Sequence, residues 1–204
     1  MARLRALVGR EGGTLLDVAC GTGRHLELLG KHYRAEGLDL EPRMVEIARS
    51  RGLSVHQGDL ASFDLGRTFD VVTCLFSSIG YASDLEAAIR NLARHLAPGG
   101  ALAVEPWLTP ESVIPGHVSL DTVEEGSTRI ARMGLMEVEG RLSRVDFHYL
   151  VGRGGAVEHF QERHELWLWT REEYGSALRA AGLETSFDQE GLMGRGLWLG
   201  LRRR

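Results

Sequence analysis

The sequence lacks the features that send a chain through a membrane, out of the cell or onto a nucleic acid. No apolar run approaches the ~20 residues of a membrane span. The N-terminus lacks the charged-then-apolar pattern of a secretory signal. Two cysteines, Cys20 and Cys74, make neither a disulfide framework nor a zinc spacing. Lysine is nearly absent: Lys31 stands alone among 24 basic residues, a compositional bias from which no function follows. The net charge of −4 offers no basic excess for a nucleic-acid footprint, and the terminal arginines read as a solvated tail. A reduced, cytoplasmic protein with no nucleic-acid, membrane or metal partner is expected.

What is present is an ordinary globular composition, 43% apolar and 25% charged over 204 residues, enough for one core and one domain spanning 1–204. The first half alternates strand and helix. Strands are expected at "TLLDVA" (14–19), "AEGLDL" (35–40), "LSVHQ" (53–57), "FDVVTCLF" (69–76) and "ALAVEPW" (101–107). Helices fall between them, at 23–33, from Pro42 to Arg51, and behind a Ser83/Glu86 capping-box spacing. Leu85, Ala88, Ile89, Leu92 and Leu96 recur on one face of that last helix, which "PGG" (98–100) ends. Strands separated by helices imply a doubly wound, parallel α/β sheet.

The second half alternates with period two, as in "RLSRVDFHYLV" (141–151) and "AVEHFQERHELWLWT" (156–170), with "GRGG" (152–155) as a hairpin turn between them. Residues 108–170 read as an antiparallel insertion expected to wall part of the acceptor pocket. A helix at 171–181 and strands at 183–189 and 196–201 then close the sheet with an antiparallel hairpin.

Between the first apolar run and the first helical pattern lies "DVACGTGRH" (17–25). Gly21 and Gly23 let the backbone turn sharply and approach a ligand at the carboxyl end of a strand, where open α/β sheets bind. A dinucleotide fingerprint needs a third glycine where Leu26 stands, which weakens a pyrophosphate reading. Asp17 would repel a phosphate and attract a cationic ligand. Asp39 ends the second strand, where a carboxylate can accept both ribose hydroxyls. Asp59, just after the third strand, can accept from an adenine amine, with Met44 and Leu60 sandwiching the purine. Helix capping by Asp39 and turn formation by Asp59 are the plainer roles for each taken alone.

"DVACGTG", "GLDL" and "GDL" resemble the first three motifs of class I S-adenosylmethionine-dependent methyltransferases. The resemblance implies that the loop at Asp17, Ala19, Gly21 and Gly23 meets the methionyl part of S-adenosyl-L-methionine, that Asp39 holds ribose, and that Asp59 meets adenine. Leu40, Met44, Gly58, Leu60 and Phe76 join them as cofactor contacts. A Rossmann-like, mostly parallel seven-stranded sheet is the fold implied.

A narrower resemblance runs from about Leu15 to the C-terminus. "GTGRHLELL", "HQGDLASFDLGRTFDVVTCLFSSIGY", "HLAPGG", "VEPW", "SRVDFHYLV", "REEYGSALRAAGL" and "GRGLWLGL" are similar to the dTDP-amino-sugar N,N-dimethyltransferases of deoxysugar pathways. This implies methyl transfer to a small-molecule amine, of which a nucleotide-linked amino sugar is one form, and leaves a homodimer open. Tyr81, closing "FSSIGY", occupies a position where the family carries Tyr or His against the reacting amine, and is expected to orient or deprotonate the acceptor. Trp107 may be read as the acceptor-pocket floor or as core, and Arg195 as a substrate-phosphate partner or as a surface residue. His25, His159, His164 and the Glu158, Glu162 and Glu165 run read as structural or solvated.

Two departures stand out. Relatives carry several tens of residues, with aromatics, ahead of the first strand, whereas Asp17 lies sixteen residues from Met1 and no tyrosine precedes it. A late start and a more open site are the two expectations. In "RMGLMEVEG" (132–140), Gly134 and Leu135 replace a Ser-His pair, and Val138 or Glu139 stands where relatives place a basic residue. If those groups touch the nucleotide sugar, an acceptor smaller or less anionic than theirs follows. The rival readings are an O-methyltransferase of the same fold, a cofactor binder without turnover, and an NAD-dependent oxidoreductase, the last disfavoured by Leu26 and Asp17.

Overall fold

The computed structural model describes residues 6, 8, 9 and 12–204. Seven strands form one sheet: β1 (Thr14–Val18), β2 (Arg34–Asp39), β3 (Val55–Gln57), β4 (Phe69–Cys74), β5 (Leu96–Val104), β10 (Leu183–Asp188) and β11 (Leu197–Arg202). Their spatial order is β3-β2-β1-β4-β5-β11-β10, with β11 antiparallel to β5 and to β10 and the other pairs parallel. Strand order reverses between β1 and β4, the topological switch point at which such sheets bind ligands. Two compact units divide the chain: the stretch up to Trp107 together with Trp169–Arg204, and Leu108–Leu168.

Adjacent strand residues serve opposite faces of the large sheet. Leu16, Val72, Leu102 and Trp198 pack against α3 (Leu85–Arg94) and α4 (Arg171–Ala180), through Ile89, Leu92, Tyr174 and Leu178. Leu15, Val71, Ala101 and Leu197 cover the other side with Leu29 of α1 (Arg24–Leu29) and Tyr33. Val45 and Ala48 of α2 (Pro42–Ser50) close a third cluster with Leu26 and Val55. Both faces are buried, so the central strands read as near-continuous apolar runs.

Several sequence expectations move by a few residues, each for a physical reason. The first helix stops at Leu29 rather than Tyr33, with Gly30 as its C-cap, and the Tyr33 ring enters the core. The N-cap of α3 is Asp84, not Ser83: its carboxylate accepts the Ala87 N–H at 2.9 Å, leaving no Ser83/Glu86 capping box. Leu96 belongs to β5, which runs through Pro98–Gly100 instead of starting after it. A true capping box does open α4, where Thr170 and Glu173 bond reciprocally.

The Leu108–Leu168 unit is a four-stranded antiparallel sheet in the order β6 (Val118–Glu125), β7 (Thr128–Glu139), β8 (Leu142–Arg153), β9 (Ala156–Trp167). The β8–β9 turn uses Gly154 and Gly155, both with positive φ as a tight hairpin requires. No helix among the described residues is long and apolar enough to cross a membrane.

Candidate active site

The glycine loop leaves β1 by a run of left-handed residues: Ala19, Gly21 and Gly23 have φ of 58°, 56° and 79°. The requirement at Gly23 is steric as well, because a Cβ there would lie 2.3 Å from the Leu53 side chain. At Gly21 a Cβ would meet nothing within 4 Å, so the loop presents open space above a bare backbone. Leu26, where a dinucleotide site would carry its third glycine, is buried in α1. The close approach has moved across to β2, since a Cβ on Gly37 would lie 2.8 Å from Leu26 and 2.6 Å from Cys20 Sγ.

Asp39 is tied to this loop. Its Oδ2 accepts the Gly21 N–H at 2.7 Å and its Oδ1 accepts the Glu41 N–H at 3.0 Å. An ionised carboxylate offers about four lone-pair sites, so two remain for a ligand's hydroxyls. Glu41, one residue further from the strand, is the helix cap.

Asp17 is 2% exposed beneath the loop. Thr73 Oγ1 donates to its Oδ1 at 2.7 Å, while its Oδ2 is buried without a hydrogen-bond partner. Burial, outweighing the Thr73 bond and reinforced by the Asp39 charge, pushes its pKa up to about 7. Burial thus favours the uncharged carboxyl, and a cation in the site would favour its charged form.

Gly58, Asp59 and Leu60 follow β3. Asp59 is exposed, and its Oδ1 accepts the Ala61 N–H at 2.7 Å, the turn-forming bond, which leaves Oδ2 uncommitted in that turn. The loop is braced from α3: Asn91 Nδ2 donates to the Leu60 carbonyl at 3.0 Å, and Arg94 to the Phe63 carbonyl. His95 stacks on Phe63 at 4.2 Å and takes the Leu65 N–H on Nε2, with Nδ1 against the Asn91 carbonyl. Leu40 and Met44 are exposed apolar side chains and Leu60 is half-buried.

Beyond β4 the chain departs from the expected strand. Phe76 and Ser77 are both left-handed, with φ of 55° and 65°. Neither is glycine, and such residues cost on the order of 1–3 kcal/mol each unless their surroundings hold them. The turn Ser78–Tyr81 follows, with Tyr81 49% exposed at its end. Glu105, 1% exposed just past β5, accepts the Phe76 N–H on Oε2 at 2.7 Å. Ser77 Oγ donates to the Pro106 carbonyl at 2.8 Å and accepts from Arg195 Nη1 at 2.8 Å. The Arg195 guanidinium also lies 5.0 Å above the half-buried Trp107 ring. Part of the fork that sequence reading assigned to a phosphate is thus committed to Ser77.

Glu105, Ser77, Thr73 and Asn91 were not singled out from sequence. Glu105 had one available signal, a carboxylate at a strand end inside "VEPW". Of the other histidines, His25 lies beside Phe76 with ring centroids 6.1 Å apart, and His148 Nδ1 lies 3.1 Å from His159 Nε2 on the antiparallel sheet. No group of three His, Cys, Asp or Glu among the described residues is arranged to hold a metal. Gly134, one of the departures, has a packing reason, since a Cβ there would lie 2.7 Å from the Phe147 ring.

The residues at the ends of β1, β2 and β3 fit a cation-bearing adenosyl group. The buried, orphaned Asp17 oxygen, the open backbone at Gly21 and the two spare lone pairs of Asp39 supply charge complement, clearance and hydroxyl acceptors.

Residues 15–100 match the family model described as a methyltransferase domain. A dTDP-3-amino-3,6-dideoxy-alpha-D-glucopyranose N,N-dimethyltransferase of Streptomyces fradiae is 45% identical, over 98% of this chain and 82% of the relative. A dTDP-3-amino-3,4,6-trideoxy-alpha-D-glucopyranose N,N-dimethyltransferase of Streptomyces venezuelae is 41% identical, over 94% of this chain and 84% of its own. Among solved structures, Streptomyces venezuelae DesVI superposes with a TM-score of 0.93 at 40% identity, covering 98% of this chain and 88% of that one. An S-adenosylmethionine-bound amino pentose methyltransferase from Micromonospora echinaspora, involved in calicheamicin biosynthesis, gives 0.88 at 41%, covering 98% and 87%. With this fold, these strand-end residues and these relatives, the chain belongs to the class I S-adenosylmethionine-dependent methyltransferases, in the amino-sugar N,N-dimethyltransferase family, and is a methyltransferase.

Proposed function

We propose that the acceptor is the amine of a nucleotide-linked amino sugar, and that Tyr81 faces it. The observation that carries this reading is the extent of the likeness: 45% identity over 98% of the chain covers the segment after β4 as well as the glycine loop. Asp39 would hold the ribose, Asp59 the adenine, and the loop at Asp17, Ala19, Gly21 and Gly23 the methionyl end, with Leu40, Met44, Gly58, Leu60 and Phe76 around them.

Bound there, S-adenosylmethionine supplies a methyl group already activated on a sulfonium. The protein's task is then mainly to align the amine, worth up to ~7–11 kcal/mol in favourable cases. The acceptor must arrive as, or become, a neutral amine, because only that form has a lone pair. Tyr81 Oη is the group we assign to orient the amine or take its proton, an effect of roughly 10²–10⁴-fold for a positioned acid or base. Trp107 and the remaining donors of Arg195 are assigned to the acceptor side.

The test is a panel of dTDP-amino sugars with S-adenosylmethionine, read by product mass. Mono- and dimethylated amines are the expected products, and Tyr81→Phe should slow them at least tenfold. Methylation confined to hydroxyls, or full turnover by Tyr81→Phe, would remove the corresponding assignment.

We also propose that the chain pairs with a second copy through its antiparallel sheet. Val118, Leu120, Met133, Leu135, Leu150 and Val157 all lie exposed on one face of that sheet, a contiguous apolar area that lone soluble proteins rarely leave open.

A further inference from the structure

The acceptor end of the sheet is held in an unfavourable backbone conformation by one buried charge. Phe76 and Ser77 are consecutive left-handed residues, neither of them glycine, and they launch the turn that ends at Tyr81. Such a conformation persists only where the surroundings over-determine it. Here they do so from two directions. Glu105 Oε2 takes the Phe76 N–H at 2.7 Å. Ser77 Oγ, 2% exposed as a residue, is filled on both sides, donating to the Pro106 carbonyl and accepting from Arg195.

Glu105 joins the two. It is 1% exposed and its Oε1 is buried with no hydrogen-bond partner; burial pushes its pKa up, opposed by the Phe76 N–H bond and, more weakly, by the Arg195 charge. A buried carboxylate with an orphaned oxygen is costly and is a poor device for stability alone, since apolar replacements of buried charge are often neutral or stabilising. What it supplies is a strong acceptor for one particular N–H, beside the arginine that grips the next residue.

We propose that Glu105 is a positioning residue for methyl transfer, whose carboxylate fixes the Phe76–Ser77 backbone and so sets where Tyr81 stands. It touches no reacting atom and acts through the turn. This rests on the assignment of Tyr81 to the acceptor.

Two variants separate its parts. Glu105→Gln keeps an oxygen for the Phe76 N–H and loses the charge; Glu105→Leu loses both. With an acceptor methylated by the wild type, kcat is expected to fall about tenfold for Gln and about 100-fold for Leu, the scale of an ångström-sized misplacement. The Kd for S-adenosylmethionine should change less than about threefold, because Asp39 and Asp59 keep their bonds. The second measurement is a rescue: glycine adopts left-handed angles without a brace, so the Glu105→Leu loss should shrink to about threefold when both proteins compared carry Phe76→Gly.

Hydrogen exchange supplies a readout that needs no acceptor. The Phe76 amide of the wild type loaded with S-adenosylmethionine should exchange slowly, and in Glu105→Leu at least tenfold faster. Unchanged exchange at Phe76, or unchanged kcat in Glu105→Leu, would overturn the proposal. A wild type that methylates none of the amino sugars but keeps the exchange difference would instead count against the acceptor assignment, while upholding the Glu105 brace.

Discussion

Asp39 accepts the Gly21 N–H at 2.7 Å, which joins the end of β2 to the loop leaving β1. With its other oxygen on the Glu41 N–H, the carboxylate faces a backbone donor on each side. An asparagine would have to point its amide nitrogen at one of those donors. Asp39→Asn should therefore weaken S-adenosylmethionine nearly as much as Asp39→Ala, by about 10- to 150-fold for charged bonds of ~1.5–3 kcal/mol. Calorimetric titration measures this directly, and a mild Asn effect would mean that the loop can shift to accommodate the amide.

Asp17 makes both stability and cofactor binding depend on pH. Its folded pKa is raised from 3.8 to about 7, so the folded protein holds a proton that the unfolded chain has released. The stabilisation is fully present below about pH 4 and is lost as pH rises through about 7. Asp17→Asn should flatten this part of the profile and raise the melting temperature of the ligand-free protein at pH 8, by at most ~4 kcal/mol in stability. A cation in the site favours the charged carboxylate, so S-adenosylmethionine should release protons on binding at pH 6–7. Titrations in two buffers of different ionisation heat count them, and Asp17→Asn should release fewer.

Asn91 is 5% exposed and supports the Leu60 carbonyl from α3. Asn91→Ala removes a donor from a part-buried acceptor, at about 1–3 kcal/mol of stability. Because that carbonyl belongs to the loop of Asp59, the same change should raise the Kd for S-adenosylmethionine about three- to tenfold, with kcat at saturation nearly unchanged. Thermal melts and saturation kinetics separate the two effects.

The exposed apolar face of the antiparallel sheet predicts a dimer that a single charge disrupts. Leu120 and Met133 are opposite each other and 62% and 49% exposed. Leu120→Glu should shift the mass measured by light scattering from two chains to one, with far-ultraviolet circular dichroism unchanged. A wild type that scatters as one chain at micromolar concentration would end this reading.

The strand-end placement of the residues we assign to the methyl donor was legible in the sequence, because it is local to each strand. In a parallel sheet, successive strands bring their carboxyl ends to one edge, so Asp17, Gly21, Asp39 and Asp59 follow from spacing and topology. The acceptor end was not legible, because its decisive contacts are long-range: Glu105 meets a residue 29 positions away, and Arg195 one 118 away. Backbone left-handedness at Phe76 and Ser77 breaks the residue preferences that sequence reading relies on. The Ser83-to-Asp84 difference at α3 is smaller in kind, since either side chain has capping chemistry and tertiary packing chooses the register.

Helix α3 adjoins both the turn that ends at Tyr81 and the loop that carries Asp59, the two ends of the reaction as we propose it. Its N-cap, Asp84, comes three residues after the turn at Tyr81, and its last turn holds Leu60, Phe63 and Leu65 through Asn91, Arg94 and His95. Ten residues make a rod about 15 Å long that does not bend to serve one loop without moving the other. Thermodynamic reciprocity then applies: by whatever factor an acceptor alters the affinity for the methyl donor, the donor alters that for the acceptor. The size of that coupling, the same whichever ligand binds first, is then a measurable property of one piece of secondary structure.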